Sequence, residues 1–272
     1  MRLDVRLFAP LINVFTKKYI KMYSNIVVMK IAICFWGLAR SMKYTIQSIQ
    51  ERIIKNFDNN NIPYKVFFHT YQVLEPYNNS RASETDIILD NNEYGLLNAD
   101  YISIDNQEII KTKINLKSYR SMEDPWDTNY ETMDNFILAM YSKKQLWKLV
   151  NESNESFTHY LFIRPDVLYL NDFDINWLTK INNNDIYIPK FHHELYNFND
   201  RMALIKNKSI AEVYSNVFDH MLQYSIQYQL HSETFIRFIL KRSFENINIH
   251  FIEFFFNRVR ANGLMTMDTE AK

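Results

Sequence analysis

A strand, a helix and a second strand near the start of the chain constrain its fold more than any other feature. Residues 30–36 (KIAICFW) are predicted to form a strand, and residues 42–57 carry apolar side chains at helical spacing. Residues 65–69 (KVFFH) predict the second strand. A strand–helix–strand unit of about 40 residues is typical of a parallel sheet. We therefore expect an α/β chain with a mostly parallel central sheet flanked by helices.

The rest of the chain continues this pattern. Residues 131–150 predict a long helix, and residues 159–164 predict a buried strand. We find no internal repeat and no low-complexity linker in the sequence. We therefore predict one domain over residues 30–263, an N-terminal extension over residues 1–29 and a C-terminal tail over residues 264–272.

Composition and missing motifs exclude several classes of protein. Lysine plus arginine (31) equals aspartate plus glutamate (31), so no nucleic-acid-binding surface is predicted. The single cysteine, Cys34, excludes a disulfide framework and suits a reducing compartment, and no apolar stretch reaches the roughly 20 residues of a membrane span. The sequence contains no Walker loop, G-x-G-x-x-G or G-x-S-x-G, which argues against P-loop kinases, standard dinucleotide enzymes and serine hydrolases.

Charged residues interrupt the apolar run at residues 160–169 (YLFIRPDVLY). Arg164 and Asp166 follow the predicted strand directly, although charged side chains are rarely buried without a partner. One interpretation is a structural ion pair. The other is a ligand site, because open parallel sheets bind ligands beyond the carboxyl ends of their strands. Further polar residues near predicted strand ends favour the second interpretation: Gly37, Arg40, Asp200, His231, Glu233, Arg258, Arg260 and Asn262.

These residue types suit recognition of a phosphorylated ligand. Arginine binds a diphosphate through charge-assisted hydrogen bonds. A carboxylate at a strand end can hold Mg²⁺ or Mn²⁺, and a second carboxylate can take a proton from an attacking hydroxyl.

Several segments, in this order, resemble a family of glycosyltransferase-like proteins found in capsule and surface-glycan gene sets and in large DNA viruses. The family is similar to nucleotide-diphospho-sugar transferases with the Rossmann-like GT-A fold. The resemblance covers roughly residues 30–263, and its most specific parts are R-P-D, N-D-R, H-S-E and R-V-R-A-N-G. The segments are KIAICFWGLARS, YKVFFHTY, NFILAMYSKKQLWKL, YLFIRPDVLYL, NDRMALIKNKSIAEVYSNVF, LHSETFIRFIL and RVRANG.

The resemblance implies roles for these residues. Asp166 matches the second carboxylate of an Asp-x-Asp pair that holds a metal ion, whereas Arg164 stands in place of the first. Participation of Mn²⁺ or Mg²⁺ is therefore left open. Asp200 or Glu233 is the expected base. The residues expected to bind the donor are Gly37, Arg40, Arg164, Asp166, His231, Arg258, Arg260 and Asn262.

The function implied by the resemblance is transfer of a hexose or pentose from a nucleotide sugar to a hydroxyl of a glycan or glycoprotein. The expected location is the cytoplasm, or the host cytoplasm for a viral protein. The alternative is a non-catalytic protein of the same fold that binds a sugar nucleotide or a glycan. Trp126 and Tyr119 are candidates for stacking on a sugar or base. We further expect Asp166→Asn to abolish turnover without unfolding the protein, unless Asp166 is paired with Arg164.

Overall fold

Twelve strands are present in the computed structural model, which describes residues 29–269. Most of the predicted N-terminal extension, residues 1–28, lies outside the described residues. The strands are β1 (Ile31–Trp36), β2 (Tyr64–Gln72), β3 (Tyr77–Asn79), β4 (Glu84–Ile87), β5 (Tyr101–Asn106), β6 (His159–Ile163), β7 (Val167–Tyr169), β8 (Asp185–Pro189), β9 (Ala203–Ile205), β10 (Asn248–Ile252), β11 (Phe256–Val259) and β12 (Met265–Thr266).

Seven of these strands form the central sheet, in the order β10-β8-β9-β6-β1-β2-β5. Strand β9 runs antiparallel to both of its neighbours, and the other neighbouring pairs are parallel. The prediction of an α/β domain with a mostly parallel sheet is therefore confirmed.

Seven α-helical segments flank this sheet. The first, α1, covers residues 42–59 and contains a π-helical turn, Gln50–Ile54, between α-helical Met42–Ile49 and Lys55–Asn59. Within the described residues, none of the helices is both long and apolar enough to cross a membrane. The others are α2 (Gln107–Ile114), α3 (Glu131–Glu152), α4 (Asn176–Lys180), α5 (Lys208–Ser215), α6 (Phe218–Gln227) and α7 (Ser232–Ser243).

The two faces of the sheet bury separate apolar clusters. Alternate side chains of a strand point to opposite faces, so Ala32 and Cys34 of β1 join one cluster and Ile31 and Ile33 join the other. Helices α3, α5 and α7 contribute to the first cluster, and α1 contributes to the second. Burial on both faces explains why the central strands are continuous apolar runs.

The apolar run at residues 160–169 belongs to two different sheets. Strand β6 lies in the central sheet, whereas β7 pairs with β11 in a three-stranded antiparallel sheet of order β12-β11-β7. The intervening residues 164–166 therefore leave the central sheet at its carboxyl edge. Residues 265–268, which were assigned to a C-terminal tail, pack onto this small sheet: β12 pairs with β11, and Asp268 forms an ion pair with Arg258.

A core substitution tests this arrangement. Leu161 lies in β6 with none of its surface exposed, so Leu161→Ala should leave a cavity in the apolar cluster between the sheet and α1. We expect a loss of about 2–5 kcal/mol in the free energy of unfolding, measured by urea denaturation. The control is Leu222→Ala in α6, where the leucine is 42% exposed and the expected change is within about 0.5 kcal/mol. Equal effects of the two substitutions would contradict the assignment of β6 to the core.

Candidate active-site cleft

A cleft of about 640 Å³ lies at the carboxyl edge of the central sheet. Nine of the ten residues selected from the sequence line this cleft: Gly37, Arg40, Arg164, Asp166, Asp200, His231, Glu233, Arg258 and Arg260. Asn262 does not join them. It is exposed in the turn before β12, where its side-chain oxygen accepts a hydrogen bond from the backbone N–H of Leu264 at 3.0 Å.

The backbone at the ends of β1 and β6 is held in place by neighbouring elements. Gly37 has a φ of +98°, a conformation that favours glycine, and its N–H donates to the Ser142 hydroxyl of α3 at 2.9 Å. After β6, the carbonyl oxygen of Pro165 accepts a hydrogen bond from the Thr45 hydroxyl of α1 at 2.7 Å. These contacts fix the two turns from which the cleft is built.

Asp166 accepts hydrogen bonds from two arginines. Arg164 donates from Nε to Oδ1 and from Nη2 to Oδ2, both at 2.8 Å, and Arg40 donates from Nη2 to Oδ2 at 3.1 Å. The carboxylate is only 4% exposed. Charges at the end of this core strand are thus accommodated by a paired, hydrogen-bonded network, as buried charges require.

Arg40 extends this network to the β3–β4 hairpin. Its Nη1 donates to the Tyr77 hydroxyl and lies 3.5 Å from a carboxylate oxygen of Glu84. The other carboxylate oxygen of Glu84 accepts a hydrogen bond from the backbone N–H of Ala261 at 2.5 Å. Sequence analysis missed Tyr77 and Glu84, because they lie in a polar stretch whose pairing depends on the tertiary fold.

The charges around Asp166 decide whether it could hold a metal ion. Burial raises the pKa of Asp166, but the positive charges of Arg164, Arg40 and Arg260 outweigh this effect and keep the pKa well below the usual range. Both carboxylate oxygens already accept hydrogen bonds from guanidinium groups, which would repel a cation. In residues 29–269, no cluster of three His, Cys, Asp or Glu side chains is suitable for a metal. The residues present therefore do not fit Mn²⁺ or Mg²⁺ at Asp166.

The other arginines of the cleft differ in how far they are paired. Arg258 forms an ion pair with Asp268, with a shortest distance of 2.6 Å. Arg260 instead donates, within residues 29–269, only from Nε to the Thr266 hydroxyl at 3.1 Å. Arg81, which sequence analysis did not select, has no hydrogen-bond partner among the described residues and lines the same cleft. Arg260 and Arg81 therefore have free guanidinium donors.

The lowered pKa values of the two free guanidinium groups indicate that they can bind an anion. Burial and the positive charges of Arg258 and Arg40 lower the pKa of Arg260. The pKa of Arg81 is lowered by partial burial and by Arg258 and Arg201. A pKa lowered by like charges means that an added negative charge would be stabilised there. The cleft can therefore bind an anionic ligand.

Two carboxylates, those of Asp200 and Glu233, also line the cleft. Glu233 is in the first turn of α7, 8% exposed, and accepts a hydrogen bond from the Ser232 hydroxyl at 2.6 Å. Its burial and the negative charge of Asp200 raise the pKa of Glu233 to about 7. The Asp200 carboxylate makes no hydrogen bond to the part of the chain that the structure describes. A carboxylate with a pKa near neutrality can accept a proton at physiological pH.

Aromatic rings cover one wall beside this carboxylate pair. The His231 ring lies between those of Trp126, at a centroid distance of 5.2 Å, and Tyr196, at 4.3 Å. His231 is therefore packed within the wall, and burial lowers its pKa. Trp126 lines the cleft as expected for a stacking residue, whereas Tyr119 is only 6% exposed and belongs to the apolar core.

Lys143 is a further residue that sequence analysis missed. It lies in α3 with none of its surface exposed. Its position is three residues after Met140 and four before Trp147, which places it on the apolar face of the helix. A lysine at helical spacing within an apolar stripe was the signal that could have identified it.

Comparisons with known proteins give only distant structural similarities. No family profile matches the sequence, and no curated protein matches it. Mouse xyloside xylosyltransferase 1 is similar at 10% identity and a TM-score of 0.37, over 82% of this chain and 84% of that one. The galactosyltransferase LgtC, in complex with donor and acceptor sugar analogs, is 13% identical with a TM-score of 0.38, over 81% and 73% of the two chains.

The mannosyltransferase Ktr4p from S. cerevisiae is 10% identical with a TM-score of 0.41, over 85% of this chain and 70% of that one. TM-scores this low carry no argument about function. The functional conclusion therefore depends on the residues of the cleft.

The ion pairs of Asp166 predict a loss of stability on substitution. Asp166→Asn should lower the free energy of unfolding by about 3–5 kcal/mol, because the largely buried Arg164 loses its charged partner and Arg40 keeps only Glu84. Since the folded pKa of Asp166 is depressed, its contribution is complete at neutral pH and is lost only as pH falls below the ordinary aspartate range. Chemical denaturation at neutral pH measures the difference.

Asp172→Asn is the matched control, because Asp172 pairs with Arg52 at the surface and its side chain is 58% exposed. We expect a change within about 0.5 kcal/mol for this control. The geometry thus favours the structural interpretation of Asp166 over the expectation that Asp166→Asn leaves the fold intact. An unchanged stability of Asp166→Asn would reverse that conclusion.

Proposed function

We propose that this protein transfers a hexose or pentose from a nucleoside-diphosphate donor to a hydroxyl of a glycan or glycoprotein acceptor. The proposal depends on the presence of both free guanidinium groups and carboxylates in one cleft. Free guanidinium donors of Arg260 and Arg81 lie in the same cleft as the carboxylates of Asp200 and Glu233. Sugar transfer from such a donor needs an anion-binding group for the leaving diphosphate and a base for the attacking hydroxyl.

Arg260 is proposed to bind the diphosphate. Negative charge accumulates on the leaving diphosphate as its bond to the sugar breaks, and a preorganised positive group stabilises that charge. Arg260 lies near Arg40 and Arg258, whose positive charges lower its pKa, so a diphosphate would relieve repulsion among three arginines. Arg164 pairs with Asp166, and Arg40 pairs with both Asp166 and Glu84, so these two arginines form the support of this site.

Glu233 is proposed to act as the base. The acceptor oxygen attacks the anomeric carbon of the donor sugar and forms the new glycosidic bond. The bond from that carbon to the diphosphate oxygen breaks, and its electron pair leaves with the diphosphate. The hydroxyl proton goes to Glu233, whose pKa of about 7 suits this transfer. A single displacement of this kind inverts the anomeric centre, and Asp200 is proposed to contact the sugar.

The proposed base predicts a dependence of rate on pH. Because Glu233 must be deprotonated to accept the proton, the transfer rate should rise with pH up to about 7 and level off above it. Glu233→Gln should lower kcat about 100-fold or more. Release of nucleoside diphosphate from a panel of sugar nucleotides, with and without glycan acceptors, measures both effects.

Glu212→Gln is the control for this substitution, since Glu212 is exposed on α5. Tight binding of a sugar nucleotide without any turnover by the wild-type protein would instead establish the non-catalytic alternative. Full activity of Glu233→Gln would exclude Glu233 as the base.

The proposed diphosphate site predicts binding without a divalent cation. We expect a nucleoside diphosphate to bind in the presence of EDTA, because guanidinium groups supply the positive charge. Arg260→Met should weaken this binding about 10- to 100-fold, the usual effect of losing a hydrogen bond between charged groups. Isothermal titration calorimetry gives the dissociation constants.

The control, Arg52→Met, removes a surface arginine that is 43% exposed in its side chain. Binding that requires Mn²⁺, or that Arg260→Met leaves unchanged, would contradict the proposed site.

A further inference from the structure

Lys143 is a fully buried lysine whose amine has no hydrogen-bond partner among the described residues. Its Nζ lies between two aromatic rings, 4.5 Å from the centroid of Trp36 and 3.9 Å from that of Tyr214. Cation–π contacts offset part of the free energy lost on burial of an ammonium group. They do not replace the hydrogen bonds of water, so a lysine in this position lowers the stability of the fold.

The amine lies directly beneath the cleft. Ala139 and Met140, which are one turn before Lys143 in α3, line the cleft. Helical side chains lean back over the preceding turn, so the amine of Lys143 points towards these residues. Trp36 also lines the cleft, and the Tyr214 hydroxyl lies 3.5 Å from the backbone oxygen of Asp200. Trp36 therefore contacts the amine and lines the cleft at the same time.

The charges that act on Lys143 belong to the cleft. Burial lowers the pKa of Lys143 to about 7, the Asp200 carboxylate raises it and the Arg164 guanidinium lowers it further. Asp200 lies before β9 and Arg164 follows β6, whereas the residues that touch the amine from β1 and α5 are the uncharged Trp36 and Tyr214. Electrostatic coupling is reciprocal, so the charge of Lys143 acts on Asp200 as Asp200 acts on it, and the same positive charge would attract an anion bound in the cleft.

We propose that Lys143 is a positioning residue that stabilises the anionic ligand of the cleft from beneath, and that it makes the fold less stable than an apolar residue would. The identity of the ligand as a diphosphate rests on the proposed function. The functional contribution of Lys143 requires its protonated form. Its effect on binding is therefore present below about pH 7 and lost above it.

The experiment compares Lys143→Met with Lys144→Met. Methionine has nearly the length of lysine and no charge, and Lys144 is a neighbouring lysine that forms a surface ion pair with Asp219. Inorganic pyrophosphate in EDTA is the probe, because it carries the diphosphate group without a base or sugar. Calorimetry gives the ratio of the variant and wild-type dissociation constants at about pH 6 and about pH 9, so that protonation of the probe itself cancels.

We expect Lys143→Met to weaken pyrophosphate binding about tenfold at the lower pH and hardly at all at the higher pH. Lys144→Met should not change pyrophosphate binding at either pH.

Thermal unfolding without ligand provides a second measurement, in which Lys143→Met should melt several degrees above the wild type at neutral pH. The buried amine has a lower pKa in the folded than in the unfolded chain. Its cost to stability is therefore complete below about pH 7 and disappears as pH approaches the ordinary lysine value.

The outcomes separate this inference from the proposed function. Pyrophosphate binding that is equally tight in wild type and Lys143→Met at the lower pH would overturn the inference and leave the proposed diphosphate site intact. A lower melting temperature of Lys143→Met would assign the residue a purely structural role, which also overturns the inference. Absence of pyrophosphate binding by the wild-type protein would overturn the proposed diphosphate site together with the inference that depends on it.

Discussion

The ion pairs of Asp166 are the interaction on which the rest of the cleft depends. This carboxylate joins Arg164 at the end of β6 to Arg40 before α1, and Arg40 reaches Glu84 on the β3–β4 hairpin. Glu84 in turn accepts a hydrogen bond from the backbone of Ala261. Segments from four parts of the sequence are thereby held around two buried carboxylates, Asp166 and Glu84. Each of the four charged side chains has an oppositely charged partner, although Arg40 Nε and one carboxylate oxygen of Glu84 are buried without a hydrogen bond among the described residues.

Two arginines with carboxylate partners, Arg40 and Arg258, determine the electrostatic environment of Arg260. Arg40 and Arg258 have carboxylate partners, yet their positive charges still act on Arg260 and lower its pKa. Arg260 therefore lies in a positive potential that no carboxylate fully neutralises, and an anionic ligand would complete the site. Glu233 experiences the opposite environment, because burial and Asp200 raise its pKa. The cleft thus contains both an anion-binding group and a carboxylate whose pKa is near neutrality, the two kinds of group that the proposed transfer from a diphosphate donor uses.

The sequence predicted those parts of the structure that follow from local pattern and chain direction. Strands β1, β2 and β6 were recognisable as apolar runs, and parallel strands bring their carboxyl ends to one edge, so residues as distant as Arg40 and Arg260 could be predicted to share a cleft. An apolar pattern does not specify strand direction, which is why the antiparallel direction of β9 was not predicted. Glu84 and Asp268 carried no local signal, because their partners are fixed by tertiary contacts. Lys143 did have a local signal in the sequence, because it is a charged residue within the apolar stripe of a helix.

The most direct test of this account is the position of the phosphates in a crystal structure of the protein with a nucleoside diphosphate and EDTA. We predict phosphate oxygens within hydrogen-bonding distance of the Arg260 guanidinium, with the Asp166 ion pairs to Arg164 and Arg40 unchanged. A metal ion bridging Asp166 and the diphosphate in crystals grown with Mn²⁺, with Arg164 displaced, would contradict it. So would a nucleotide bound outside the cleft.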